Sequence, residues 1–571
     1  VGNLNGDIEA TGKEKQVRPK YHRENNMQNV ITRVRNIEFN ERVEDVSAKK
    51  VKVDLTYKAD TTINEPIYFR IDISSKNYND AKISISNRKI GVKSSTRELE
   101  FKLSKSLKSF IDKRDGIKII YIELAKGVQR GEKDSVSIEI NTNGKIDHEG
   151  VVVELDVKNP GNLFSGMGGN FRLQSPDKDQ KVIGYCLNNI RVAYGRVEFP
   201  WSAWQANENT DPIKDAVNGK LIKHLYESIE MARQLKAKGM PVILSCWFPP
   251  VWAIDGRPEN YKRVGGIQAY RLDNSKKEKI YKSIADYLSY IKSYCGIEID
   301  MFSFNESDLG IDIIHTPQEH CDFIKEFGEY LAKRALPTKL LLGDNSDATT
   351  YDFIVPALND INALPYIGAV SFHSWRGCDD VTLIKWREAA RKLNVPLIVG
   401  EGSTDAAAYG YPEIFNESTF ALYEINLYTR ICALSQPKSI LQWQLTSDYS
   451  LLLGDGIFRT EGPLRTTQRF WNIKQLASTP EESMHIPAKV NKENVNVAAF
   501  ANIVRGEYAL HLVNNGASRE ATIKGLPDNV KSVRVYVTNS KESMKESKVN
   551  VTDGFVRILL QPISFISIFT E

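Results

Sequence analysis

From about residue 161 the chain repeats one rhythm for about 300 residues: a short apolar or β-branched run, a helical stretch, then another run. The runs are Gly166-Met-Gly-Gly-Asn170, Asn189-Ile-Arg-Val-Ala-Tyr194, Pro241-Val-Ile-Leu-Ser-Cys246, Ile299-Asp-Met-Phe-Ser-Phe304, Lys339-Leu-Leu-Leu-Gly343, Ile367-Gly-Ala-Val-Ser-Phe372, Pro396-Leu-Ile-Val-Gly400 and Ser439-Ile-Leu-Gln-Trp443. Between the second and third, Leu221, Leu225, Ile229, Ala232 and Leu235 form one apolar helical stripe. Eight such βα units predict a (β/α)8 TIM barrel rather than an open sheet, which would want a phosphate-binding glycine loop. Gly166-Met-Gly-Gly169 lacks that loop's spacing.

Alternating runs flank the barrel. Val51–Leu55, Ile67–Ile71, Ile117–Tyr121 and Val151–Leu155 predict an N-terminal β-sandwich over 31–160, a binding or packing module, closed off by Asn159-Pro160-Gly161-Asn162. Val495–Phe500, Tyr508–Leu512, Val533–Val537, Phe555–Leu559 and Ile563–Phe569 predict a C-terminal β-sandwich over 478–571, leaving 161–477 for the barrel. Residues 1–30 carry Lys13, Lys15, Arg18, Lys20 and Arg23 with little apolar pattern and read as a flexible basic arm.

Composition narrows the partners. Lys+Arg is 76 against Asp+Glu 72, so nothing points to nucleic acid, and no run is long enough for a membrane-spanning helix. The six cysteines have no C-x-x-C spacing and read as buried free thiols. His315 and His320 are five apart, off the spacing that places two metal ligands on one helical face, so no metal is expected. A monomer is expected. The start at Val1 reads as a trimmed chain, and a secreted, periplasmic or cell-surface location is expected.

Barrel active sites lie at the C-terminal ends of the strands. The fourth run ends in Asn305-Glu306 and the seventh in Gly400-Glu401. Strands four and seven face each other across a barrel mouth, and opposed carboxylates are what glycosidic cleavage requires. An acidic residue after a strand is also often the first-turn charge of the next helix, but two at these two ends are harder to explain so. Six of the eight Trp map to the same rim: Trp201, Trp204, Trp247, Trp252, Trp375 and Trp443. Indole faces suit the C–H faces of a sugar; Trp386 and Trp471 read as core. Arg191, inside the second run, wants an anionic partner and is placed to reach Glu401; His373 could meet a substrate hydroxyl or orient a carboxylate.

These residues carry a resemblance. Over roughly 161–571 the chain resembles clan A glycoside hydrolases, most closely family 30. Gly166-Met-Gly-Gly169 resembles that family's G-F-G-G, Arg191-Val-Ala-Tyr-Gly-Arg-Val-Glu198-Phe199 its R-V-P-x-x-x-x-D-F, and Trp247-Phe-Pro-Pro-Val-Trp252 its W-S-P-P-x-W. Asn305-Glu306 matches the N-E of its Q-N-E-P, Glu401 the Glu of its T-E, and Trp443-Gln444 resembles its W-N. The resemblance implies a retaining β-glycoside hydrolase without cofactor or metal. Glu306 would be acid/base, Glu401 nucleophile, and Asn305 the partner of the sugar's 2-OH. Glu198, Trp204, Trp247, Trp252, His373, Trp375, Trp443 and Arg191 would line the carbohydrate site. Phe304, Ser307, Glu198, Trp375 and Gly400 depart from the family pattern, so the sugar is not implied. A non-catalytic glycan-binding or adhesion protein and a transglycosylase are the alternative functions.

Overall fold

The computed structural model describes residues 20–34, 36–74, 78–114, 117–261 and 267–571. Eight parallel strands close into a barrel. They are β1 (Gly166–Phe171), β2 (Gly195–Pro200), β3 (Val242–Trp247), β4 (Met301–Phe304), β5 (Lys339–Asn345), β6 (Ile367–His373), β7 (Leu397–Gly402) and β8 (Ser439–Gln442). Helices alternate with them: α1 (Pro176–Asn189), α2 (Lys223–Ala237), α3 (Lys277–Cys295), α4 (Pro317–Lys333), α5 (Val355–Leu358), α6 (Asp380–Leu393), α7 (Ser418–Ser435) and α8 (Gln468–Ala477).

Local chemistry explains the helix ends. Thr316 and Glu319 form a reciprocal capping box with Pro317 in the first turn of α4, and Gly296 closes α3 in the left-handed conformation. Leu225, Ile229, Ala232 and Leu235 of α2 are buried, as their stripe predicts. A Cβ on Gly195 would stand 2.5 Å from Leu235 Cδ1, so the glycine lets α2 close on the start of β2.

The second run is misplaced by the sequence. Asn189–Tyr194 is no barrel strand; β2 begins at Gly195. Ile190, Val192 and Tyr194 do alternate into buried positions, but this segment only leads into the strand. Alternation alone cannot tell an extended approach from the paired strand that follows.

Inside the barrel, side chains are layered by pleat. Ile243, Met301, Leu341, Ala369, Ile398 and Leu441 form a small core of their own. Two residues further along come Ser245, Ser303 and Ser371, all buried, and two further Trp247, Asn305 and His373. The interior therefore turns from apolar to hydroxyl-lined to functional toward the mouth. Two irregularities break the period. Gly343 pairs with Ser371 and Asn345 with Phe372, leaving Asp344 as an extra residue in β5; β7 likewise carries an extra residue between Val399 and Gly402. Such bulges re-aim side chains. By period from Ile398, Glu401 would face outward; the bulge turns it into the barrel.

A second β unit accompanies the barrel. A seven-stranded sheet and a four-stranded sheet enclose Leu510, Leu512, Ile523, Ile566 and Ile568. Val151–Leu155, expected in the N-terminal sandwich, instead belongs here: it runs parallel to Arg519–Lys524 and antiparallel to Ala488–Val490. Val151 and Val153 are buried in this core, so the boundary moves to about residue 147. The five residues do form a strand, but alternation carries no information about which sheet a strand joins.

The N-terminal unit, Val1–Asp147 with Ala407–Ile414, contains an eight-stranded and a three-stranded antiparallel sheet. Phe39, Leu55, Tyr57, Ile90, Phe101, Ile120 and Ile138 are in its core. Of the expected arm, Lys13, Lys15 and Arg18 lie outside the described residues. Lys20–Glu24 is a strand paired with Met27–Val34, not an arm, because backbone pairing needs no apolar pattern at an edge. The six cysteines are free, with Cys295 and Cys378 only partly buried. Among the described residues no helix is long and apolar enough to cross a membrane.

Candidate active site

β4 ends at Phe304, and the next two residues bring Asn305 and Glu306 to the mouth, both buried. Glu306 has φ 45°, a left-handed conformation costing a non-glycine residue of order 1–3 kcal/mol. Its carbonyl accepts the amide of Gly310 at 2.8 Å, which holds the tight turn in place. Opposite, Glu401 projects from β7 and is also buried. An oxygen of Glu306, an oxygen of Glu401 and a ring nitrogen of His373 all lie within 4.8 Å of one another.

His373, at the end of β6, links the two carboxylates. Its Nδ1 is 3.0 Å from Glu306 Oε1 and 3.3 Å from Glu401 Oε2, while Nε2 is 3.0 Å from Asp344 Oδ1. Burial opposes a charge on this imidazole, but the negative charges of Glu401 and Asp344 prevail and raise its pKa to about 10. Both nitrogens then carry protons and donate. The cluster is consequently a hydrogen-bonded imidazolium held by carboxylates.

Arg196 is the second cation. From β2 it donates through Nη1 to Glu401 Oε1 at 2.8 Å and to Asn170 Oδ1 at 2.9 Å. Through Nη2 it donates to Asn305 Oδ1 at 2.6 Å and to Asp344 Oδ2 at 2.9 Å. Asp344 also accepts from Ser303 and Ser371, and its pKa falls below the usual carboxylate range because Arg196 and His373 outweigh its burial. Glu401 receives a further bond from Trp375 Nε1 at 3.2 Å. Burial raises the Glu401 pKa; His373 and Arg196 oppose that rise, and Glu306 adds to it.

One pleat outward, Glu198 follows Arg196 on β2 as Arg172 follows Asn170 beyond β1. Arg172 Nε is 3.4 Å from Glu198 Oε2, and its guanidinium lies 4.2 Å from the centre of the Trp247 ring. His224 approaches the same Glu198 oxygen at 3.6 Å. Glu198 Oε1 and Asn305 Nδ2 are buried without a hydrogen-bond partner. Trp247 and Trp443 face each other at 6.5 Å, 23° from parallel, and Trp375 meets Trp443 edge-on at 6.4 Å.

The structure thus brings together Glu306, Glu401, Asn305, Glu198, His373, Trp247, Trp375 and Trp443. It does not bring Arg191: that guanidinium donates to the carbonyls of Ser165, ahead of β1, and Thr479. Arg196 takes the partner expected for it, because β2 starts after Arg191 and not around it. Trp204 is also displaced. It donates to the carbonyl of Ser283 on α3 and packs on Tyr287, so it fills the helix layer. Trp252 spends its N–H on the carbonyl of Gln205 and packs edge-on against buried Trp201. Both follow strands in sequence, but the short helical turns they occupy direct them sideways.

Arg196, Asp344, Asn170 and Arg172 escaped the sequence reading. Asn170 and Asp344 stand at strand ends and were findable by the rule that found Glu306. Arg196 was visible only as the second arginine of a short segment whose first was the more familiar.

The chain matches no protein-family model and no characterised protein by sequence. Solved structures do share its fold. A family 30 glycoside hydrolase endoxylanase from Clostridium papyrosolvens C71 aligns with a TM-score of 0.59 at 17% identity, over 74% of this chain and 100% of that one. A family 30 subfamily 8 xylanase from Clostridium acetobutylicum aligns with 0.58 at 16%, over 74% and 99%. A family 51 arabinofuranosidase from Xanthomonas axonopodis pv. citri aligns with 0.51 at 13%, over 74% and 100%. The fold is that of family 30 and related clan A glycoside hydrolases.

Proposed function

We propose that the chain is a retaining β-glycoside hydrolase that cleaves a glycan or oligosaccharide outside the cytoplasm. The observation that carries this reading is that one carboxylate oxygen of Glu306 and one of Glu401 lie within 4.8 Å of each other, close enough to favour retention over inversion. Retaining enzymes hold their carboxyl groups about 5–5.5 Å apart, whereas inversion needs about 6.5–9.5 Å to admit a water between them.

In the first step Glu401 attacks the anomeric carbon while protonated Glu306 gives its proton to the leaving oxygen. In the second, Glu306 takes a proton from water, which attacks the same carbon and releases Glu401. Arg196 and Trp375 aim Glu401 and stabilise its anion before attack. His373 donates between the two carboxylates, so that it can follow the charge as it passes from one to the other. Asn305 Nδ2 and Glu198 Oε1 are the atoms left to hold sugar hydroxyls, over a floor formed by Trp443 and Trp247.

A screen of aryl β-glycosides and of plant, fungal and host polysaccharides tests this, with Glu401→Gln as the blank. Release by the native chain alone is expected. Binding to a glycan array without release from any ligand would reassign the chain as a glycan binder. Product analysis with an added acceptor separates hydrolysis from transglycosylation.

A further inference from the structure

Behind the segment that carries Glu306 lies a cavity of about 380 Å³, between the chain after β3 and helices α3 and α4. Its floor is Ile280, Tyr281, Phe323 and His315. The rings are packed together, Tyr281 to Phe323 at 6.1 Å and His315 to Phe323 at 5.8 Å. Its rim is polar, with Arg271, Asn274, Ser275 and Glu319. An aromatic and aliphatic floor under a polar rim, at this volume, is the usual build of a small-molecule site.

We propose that this cavity is a second carbohydrate site, which takes one neutral sugar unit against His315. Three observations select that chemistry. First, the His315 ring lines the cavity, and burial lowers the imidazole pKa to about 4, so the ring is uncharged near neutral pH. A hydroxyl both donates and accepts, and so suits the ring in either tautomer.

Second, an anion is disfavoured. Among the described residues, Asp255, Asp273, Glu319 and Asp322 outnumber Arg271 and Lys277 along the cavity. The start of α4 is already closed by its own capping box, with Thr316 Oγ1 on the Glu319 amide and Glu319 Oε2 on the Thr316 amide. Third, three of these four carboxylates are engaged rather than gathered for a cation. Glu319 is 3.1 Å from Arg271, Asp322 is 3.1 Å from Lys325, and Asp273 accepts from the amide and hydroxyl of Ser275.

The site is tied to the reaction centre by one short path. The His315 amide donates to the carbonyl of Ser307 at 2.9 Å, next to Glu306, and the His315 ring meets Phe304 at 5.5 Å. A sugar unit bound there is either a distal unit of the substrate chain or a separate molecule.

The experiment uses the full chain carrying Glu401→Gln, so that nothing is turned over and binding is read whether or not the chain proves to be a hydrolase. Saturation-transfer NMR with xylobiose and gentiobiose reports contact. Adding Trp247→Ala, which removes a wall of the catalytic cleft, is expected to leave transfer to at least one disaccharide. Adding His315→Phe, which keeps the ring packing and removes the nitrogens, is expected to cut that remaining transfer at least about 5-fold; Arg271→Ala, at the exposed rim, is expected to weaken it as well. Transfer abolished by Trp247→Ala and insensitive to His315→Phe, or no transfer with either disaccharide, would overturn the proposal. So would His315-dependent binding of tetramethylammonium with no binding of sugar. Calorimetry with a xylohexaose then separates the sources. A His315-dependent one-to-one complex makes the cavity a distal subsite, and a two-to-one complex makes it a separate site.

Discussion

Arg196 holds Glu401 through an Nη1–Oε1 hydrogen bond of 2.8 Å in a part of the barrel where both side chains are almost wholly buried. The same guanidinium reaches Asp344, so one cation is shared by two anions drawn from β5 and β7, the strands on either side of β6. Arg196→Met leaves both carboxylates buried with less compensation. Breaking a buried pair in this way costs about 3–5 kcal/mol. Chemical denaturation is expected to show a loss of that size. Arg191→Met, which touches only backbone carbonyls, is expected to leave the pH dependence of kcat unchanged, whereas Arg196→Met shifts it.

Glu401→Ala is expected to abolish most turnover of an aryl β-glycoside, and added azide to restore release of the aryl group with an α-glycosyl azide as product. Azide occupies the space of the missing carboxylate and attacks once, so the configuration inverts. Glu306→Gln is expected to lower kcat by about 10²–10⁴-fold on substrates with poor leaving groups. An α-azide failing to form would remove Glu401 from the nucleophile's role.

His373 makes stability depend on pH. Its pKa rises on folding to about 10 from an ordinary value of about 6.5. A raised pKa means that the folded chain holds the proton more tightly. The stabilisation is therefore complete below about pH 6.5 and is lost as pH rises toward 10. Thermal unfolding of the native chain is expected to lose ground over that window relative to His373→Gln, in which nothing titrates at this position.

Asp448 also lowers stability as pH rises, over a more acidic window. Burial pushes its carboxyl up to about 6, against the pull of Arg172. Holding it ionised in the folded chain is costly, and that cost grows between about pH 3.8 and 6. Asp448→Asn is expected to raise Tm at pH 7.5 and to give no gain at pH 4, as read by differential scanning calorimetry.

The tryptophans divide by role. Trp247→Ala is expected to raise KM by roughly 2–10-fold, the equivalent of 0.5–1.5 kcal/mol for an aromatic contact. Trp204→Phe removes the hydrogen bond to Ser283 and is expected to lower Tm without changing KM. Steady-state kinetics on one aryl glycoside, alongside a thermal melt, tests both.

Much of this protein was legible in order along the chain. Period-2 runs separated by helical stripes specify a barrel, because strands and helices bury their faces locally. The rule that function gathers at strand ends found Glu306, Glu401 and His373 without any knowledge of their neighbours. What the chain could not carry was register. One extra residue in β5 and one in β7 turn Asp344 and Glu401 inward, and a bulge leaves no mark in an apolar pattern. The start of β2 decided between Arg191 and Arg196, and the pairing of Val151–Leu155 with Arg519–Lys524 decided a domain boundary. Both are contacts between segments far apart in sequence. Local propensity determined which elements form; only closing the sheet determined which side chains meet.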